Sequence, residues 1–265
     1  MSFFRLQEEK DVERKITMME FLRFEELDST NNHAKTLIAE GKAKDRQIIY
    51  AVSQNAGRGQ ASNAWESESG KNLTFSLIIE PRTIEPKNQF LISQAVSVGI
   101  VNFLNHRGGL KTRPQINIKW PNDIYVGMKK IAGILIENTI QHNQILFSVI
   151  GVGLNVNQTE FSKNAGTPTS LSLINELQYD LETELKELTA CIVKELDYLP
   201  IDSGKKCQTQ YFEHLLFLNE KREYIVRGEK IVGKIIGVNG FGFLQIQTKN
   251  GTVLECDLKE IVYVM

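Results

Sequence analysis

The sequence predicts an α+β protein, with a larger unit of strands and helices over residues 20–218 and a small all-β unit over 219–265. Runs such as IIYAV and LTFSLII are apolar, rich in β-branched residues and bounded by turn formers, as buried strands are. Leu181, Leu185, Leu188, Ile192, Val193, Leu196 and Leu199 recur at three- and four-residue steps, the period of a helix. From about residue 220 the texture changes to short strands split by Gly-Glu and Asn-Gly turns, which makes a small barrel or meander.

Taken in order, residues 1–19 read as a charged leader. Ser29 or Thr30 then opens a short helix through Ala34, Leu37 and Ile38, stopped by Gly41. Strands follow at 47–53 and 73–79. Pro86 fits the first turn of a helix whose apolar face carries Phe90, Leu91, Val98, Ile100, Val101 and Leu104. Strand-like segments come next near 115–119, 131–139 and 145–152, the last two joined by the polar turn QHNQ. A long helix over 181–199 and an amphipathic stretch over 207–218 close the larger unit.

Composition narrows the function classes. Thirty-one basic and 32 acidic side chains leave a net charge of −1, with no extended block of either sign. That balance argues against a broad footprint on nucleic acid or an anionic membrane. Cys191, Cys207 and Cys256 form no CxxC pair, which fits a reducing compartment, and His33, His106, His142 and His214 show no zinc spacing. No run reaches the roughly twenty apolar residues of a membrane helix, and the N-terminus turns charged too soon for a signal peptide. The expectation is a cytoplasmic protein.

The glycine-rich stretches do not form a familiar nucleotide loop. GEKIVGKI at 228–235 has the glycines and lysine of a Walker loop but places Ile235 where a magnesium-binding hydroxyl belongs. GVGLNV at 151–156 lacks the third glycine of a dinucleotide fingerprint, and GRGQAS fails the same test. Any nucleotide must be held in another way. More informative is the polar segment SQNAGRGQASNAWESESGKN between two buried strands, long for a compact domain, with Arg58 between Gly57 and Gly59 and a lone Trp65.

Read by themselves, three further stretches are ordinary. LDSTNNHAK is a helix N-cap, and GVGLNVN a strand ending in a turn. INIKWPNDIYVGMKKIAGILIE runs into an extended Trp-Pro step and returns at Gly127, which brings Asp123 and Lys130 near each other across a hairpin-like return. A plain hairpin with solvated lysines satisfies that segment as well as a site does.

In combination, DSTN, QNAGRG with a downstream Trp, KWPND, KIAGILIE and GVGLNVN, in this order, resemble the biotin–protein ligases, also called biotin–acetyl-CoA-carboxylase ligases. The likeness covers about residues 20–160 by motif. It implies a mixed β-sheet backed by helices, similar to the catalytic domain of class II aminoacyl-tRNA synthetases, followed by an SH3-like barrel. It also implies an ATP-dependent, AMP-forming enzyme. Such an enzyme makes biotinyl-5′-AMP from biotin and ATP with Mg²⁺, then transfers biotin to a lysine on the carrier domain of a biotin-dependent carboxylase.

By the same resemblance Lys130, Arg58 and Asp123 are the catalytic residues. Lys130 would neutralise both the biotin carboxylate and the α-phosphate, and Asp123 is a candidate to assist the incoming amine. Ser29, Thr30, Asn31, Gln54, Gly57, Arg58, Lys130 and Gly133 would bind biotin, with Gly133 leaving room for its ring. Arg58, Gly59, Gln60, Trp65, Asn122, Lys130 and Asn155 would bind the adenylate, with Trp65 covering the adenine. The chemistry fits: carboxylate and triphosphate repel, so cations and backbone N–H donors must offset the charge. A glycine-flanked arginine on a closable loop supplies both.

One departure stands out. Family members often continue GRG as GRGRxGR, whereas this chain reads GRGQASN, so Gln60 stands where a cation helps retain the adenylate. About twenty-five residues precede DSTN, fewer than a DNA-binding domain needs, which implies a ligase without a repressor role and no DNA partner. A homodimer is left open. The competing readings are a lipoate- or octanoate-handling enzyme on the same scaffold and a non-catalytic biotin-binding protein.

Overall fold

The computed structural model describes residues 19–60, 63–107, 115–162 and 166–264, so the expected leader apart from Met19, together with Ala61 and Ser62, lies outside the described residues. The larger unit holds seven strands: β1 (Glu20–Leu27), β2 (Gln47–Gln54), β3 (Leu73–Ile79), β4 (Ile116–Lys119), β5 (Asp123–Val126), β6 (Lys129–Gln141) and β7 (Gln144–Leu154). They form one sheet in the order β1-β2-β3-β7-β6-β5-β4. Only β1 and β2 run parallel, joined through helix α1 (Thr30–Ala39). The sheet is thus mixed, as expected. Strand β1 and a short helix α3 (Leu171–Asn175) were not expected: β1 alternates too many charged residues to read as an apolar run, and α3 is barely one turn.

Period-two alternation divides the core. Ile49 of β2, Ile78 of β3 and Val149 of β7 face Ala34 of α1, while Ile48, Tyr50, Phe75 and Leu77 join the main core on the other face. That second face packs α2 (Phe90–His106), with α4 (Leu181–Asp202) and α5 (Lys205–His214) against it. Pro86 opens a separate 3-10 turn over Pro86–Asn88 rather than the first turn of α2 itself. The QHNQ turn forms with His142 and Asn143 both at positive φ, the geometry of a tight hairpin.

At the C-terminus, β8 (Lys221–Val226), β9 (Glu229–Val238), β10 (Leu244–Thr248), β11 (Val253–Cys256) and β12 (Ile261–Tyr263) form an antiparallel sheet ordered β11-β10-β9-β8-β12. The first hairpin turns at Arg227-Gly228, both at positive φ, one residue earlier than the expected Gly-Glu step. GEKIVGKI therefore lies in β9 and its turn, as a hairpin and not a phosphate loop. Tyr224, Val226, Ile235, Leu244 and Ile246 belong to the same buried cluster as the larger unit, and the Trp120 indole N–H donates to the Gly242 carbonyl at 2.9 Å. Among the described residues no helix is long and apolar enough to cross a membrane.

Candidate active site

Helix α1 covers only part of its sheet face, and glycines keep the remainder bare. Lys119, Asp123, Gly133, Gly153 and Thr74 are successive cross-strand partners, forming one row from β4 to β3. The next row is Leu135, Gly151, Ser76 and Ile49. Because Ile49 faces α1, both rows face the same side. A cavity of about 300 Å³ opens above them, within the range of small-molecule sites.

The N-terminus of α1 forms one end of this cavity. Ser29 is the N-cap yet spends no side-chain hydrogen bond on the helix, while Gln54 Oε1 accepts the Thr30 N–H at 2.8 Å. The Ser76 hydroxyl sits 2.8 Å from Thr30 Oγ1 and 2.6 Å from Asn31 Oδ1. With one hydrogen to give, Ser76 donates to the amide oxygen and accepts from Thr30. A ring oxygen or carbonyl placed here meets hydroxyls and the positive end of a helix dipole.

Two ion pairs shape the centre. Lys130 Nζ lies 2.6 Å from Asp123 Oδ1, so the expected return across β5 and β6 brings these two together. Backbone bonds on both sides of Pro168 clamp Lys130: its N–H donates to the Thr167 carbonyl, and its carbonyl accepts from Thr169. Arg58 is not free for an anion. Its guanidinium forks onto Glu137 with two 3.1 Å bonds and also donates to Asn32 Oδ1 at 2.9 Å. Asn31 and Lys35 donate to the same carboxylate, each at 2.9 Å. Burial alone would raise the pKa of Glu137, but these donors outweigh it and hold the carboxyl below the usual glutamate range.

The polar loop folds as a narrow hairpin, in which Gly59 N–H donates to Asn63 O at 2.6 Å and Trp65 N–H to Gly57 O at 3.0 Å. Gly57 is glycine because Trp65 backbone approaches it, with no space for a Cβ. It does not line the cavity, contrary to its expected part in biotin binding. Trp65 lies on the floor of the cavity. A Cβ on Gly133 would fall 2.9 Å from the indole, one on Gly153 would overlap it, and the indole N–H is buried without a partner among the described residues. In this state the indole fills the space expected above Gly133.

The other expected residues divide. Gly59, Gln60 and Asn122 line the cavity, although the Asn122 amide donates to Ile134 O at 2.7 Å. Asn155 does not line it: its amide is spent on Thr169 O at 3.0 Å, pinning the segment that clamps Lys130. Three groups went unread in the sequence. Glu137 could have been found as a charge on the inward side of an otherwise apolar strand. Lys119, in the same row as Asp123, lies within KWPND, where no local pattern marks it as a cavity residue. Leu258, Ile261 and Tyr263 of the C-terminal sheet wall the cavity, with no local signal to announce it.

The model of the Biotin/lipoate A/B protein ligase family matches residues 23–155. The bifunctional ligase/repressor BirA of Bacillus spizizenii is 26% identical over 237 residues, spanning 88% of this chain and 71% of that protein. The corresponding protein of Bacillus subtilis is 28% identical over 228 residues, spanning 85% and 68%. Among solved structures, the biotin protein ligase from Aquifex aeolicus in complex with biotin and ATP superposes with a TM-score of 0.74. It is 25% identical, over 92% of this chain and 97% of that one.

Proposed function

Because the chain belongs to the Biotin/lipoate A/B protein ligase family, we propose that its cavity performs the ligase reaction on biotin. It is a biotin–protein ligase: ATP activates biotin as biotinyl-5′-AMP, and the biotinyl group passes to a protein lysine. One observation carries this reading. A hydroxyl-lined helix N-terminus and, among the described residues, three cations, Arg58, Lys119 and Lys130, converge on one cavity whose lining holds a single carboxylate, Asp123. A site for a neutral ring that ends in a carboxylate, beside a polyphosphate, needs this distribution of charge.

In this reading the biotin ring is held at Ser29, Thr30, Asn31 and Gln54, and its carboxylate reaches toward Lys130. The carboxylate oxygen attacks the α-phosphorus, and pyrophosphate leaves. Lys130 shields the two anions from each other. Asp123 orients Lys130 through their ion pair and, in this reading, accepts a proton from the incoming lysine amine. No covalent enzyme intermediate is needed. Arg58 joins the phosphate side only by leaving Glu137.

ATP enters with Mg²⁺ in this reading. Among the described residues no cluster of three potential ligands would cage a metal, and magnesium held chiefly by phosphate oxygens and water needs none. The acceptor is the carrier domain of a biotin-dependent carboxylase. We also read residues 20–218 as the catalytic unit and 219–265 as an SH3-like unit that closes one wall of its cavity.

The test is ATP–pyrophosphate exchange with magnesium, triggered by biotin, lipoate or octanoate in turn. Exchange with biotin alone is expected. Exchange with lipoate or octanoate instead would move the protein to the other branch of its family, and none in folded protein would make it a non-catalytic binder.

A further inference from the structure

Of the three cations lining the cavity, two already hold a carboxylate: Lys130 binds Asp123 and Arg58 binds Glu137. Lys119 differs. It makes no ion pair or hydrogen bond among the described residues, and its ammonium lies against two aromatic faces, 5.5 Å from the centre of the Tyr125 ring and 5.3 Å from that of Tyr263. Tyr125 belongs to β5 and Tyr263 to β12, so one ring comes from each sheet. Aromatic faces attract a cation without neutralising it, and they cost it hydration. Burial accordingly pushes the Lys119 ammonium below its ordinary pKa, with Asp123 opposing and Lys130 adding to the shift.

Lys119 is also aimed. Its cross-strand partner is Asp123, so both side chains leave the sheet on the cavity side, and Lys130 reaches Asp123 from the next strand. Lys119 thus stands at the end of the row remote from the α1 N-terminus, beyond Asp123 and Lys130. If biotin lies at the helix end and its carboxylate at Lys130, the anion left on the far side is the part of ATP beyond the α-phosphorus.

The geometry points to Lys119 as the residue that binds the pyrophosphate portion of ATP and stabilises it as the leaving group. This rests on the adenylating reading above. When the biotin carboxylate oxygen bonds to the α-phosphorus, the bond from that phosphorus to the bridging oxygen breaks. Its electron pair goes to pyrophosphate, whose charge grows beside a cation that has no other anion to leave.

The decisive variant is Lys119→Met, which keeps the stem and removes the charge, compared with Lys119→Arg. In ATP–pyrophosphate exchange, Lys119→Met should raise KM for both ATP and pyrophosphate by tenfold or more. Its dissociation constants for biotin and for biotinyl-5′-AMP, neither of which carries pyrophosphate, should stay within twofold of the wild type. Lys119→Arg should restore exchange to within threefold.

Unchanged KM values, or an equal loss of biotinyl-5′-AMP binding, would overturn the assignment. Should Lys119→Met fail to fold, the wild-type protein still decides: inorganic pyrophosphate with magnesium must protect Lys119 from acetylation, read by mass spectrometry. No protection would overturn the proposal. Absence of exchange in the wild type would instead remove the adenylating reading on which it rests.

Discussion

The buried indole N–H of Trp65 has no partner among the described residues, at a cost of order 1–3 kcal/mol for a desolvated donor. Contact with Gly133 and Gly153, together with the Lys130 ammonium 5.5 Å from the ring centre, offsets that cost. A ligand ring seated over Gly133 requires the indole to leave. Biotin should therefore shift the tryptophan emission, and Trp65→Phe should remove most of the change, because Trp120, although it also lines the cavity, is only 3% exposed. No change on saturation with biotin would mean that the ring binds elsewhere. Arg58 follows the same logic, since its fork on Glu137 must open before it can serve a phosphate.

At the scale of elements, the crossing of α2 and α4 depends on Gly99, where a Cβ would fall 2.7 Å from the Cα of Ile192. Backbone cannot rotate away, so Gly99→Ala must separate the helices. A loss of about 1–3 kcal/mol in denaturant unfolding is expected, even though alanine favours the helix. Farther along α4, Glu195 accepts from Asn102 on one oxygen and leaves the other buried without a partner among the described residues. Burial raises its pKa against the pull of Lys206, Lys194 and Asn102. The native state therefore holds this proton more tightly than the unfolded state, and stability is lost as pH rises from the unfolded value, about 4.3, through the folded one. Glu195→Gln should stabilise the protein by about 1 kcal/mol at pH 7, with the advantage gone near pH 4. A melting temperature at pH 7 no higher than that of the wild type would contradict this.

Over the whole molecule the two sheets share one buried cluster, so the small C-terminal unit should not melt by itself. Trp120, which bonds to Gly242 across the boundary, and far-ultraviolet dichroism should report one coincident transition. Two separated transitions would show that the shared core is not cooperative. The same packing brings Leu258, Ile261 and Tyr263 to the cavity wall. The sequence by itself determined what depends on neighbours along the chain. Strand and helix periods, the tight QHNQ turn and the Asp123–Lys130 contact were legible because seven residues and one hairpin decide that last meeting. Five motifs in order were enough to carry the family resemblance. Only the tertiary structure decided that Arg58 binds Glu137, 79 residues away, that Trp65 lies on glycine-cleared strands, and that Lys119 lies between tyrosines of two sheets. Those contacts depend on which strands become neighbours and how the second sheet docks. Strand order is set by the burial of the whole chain, and no local pattern encodes it.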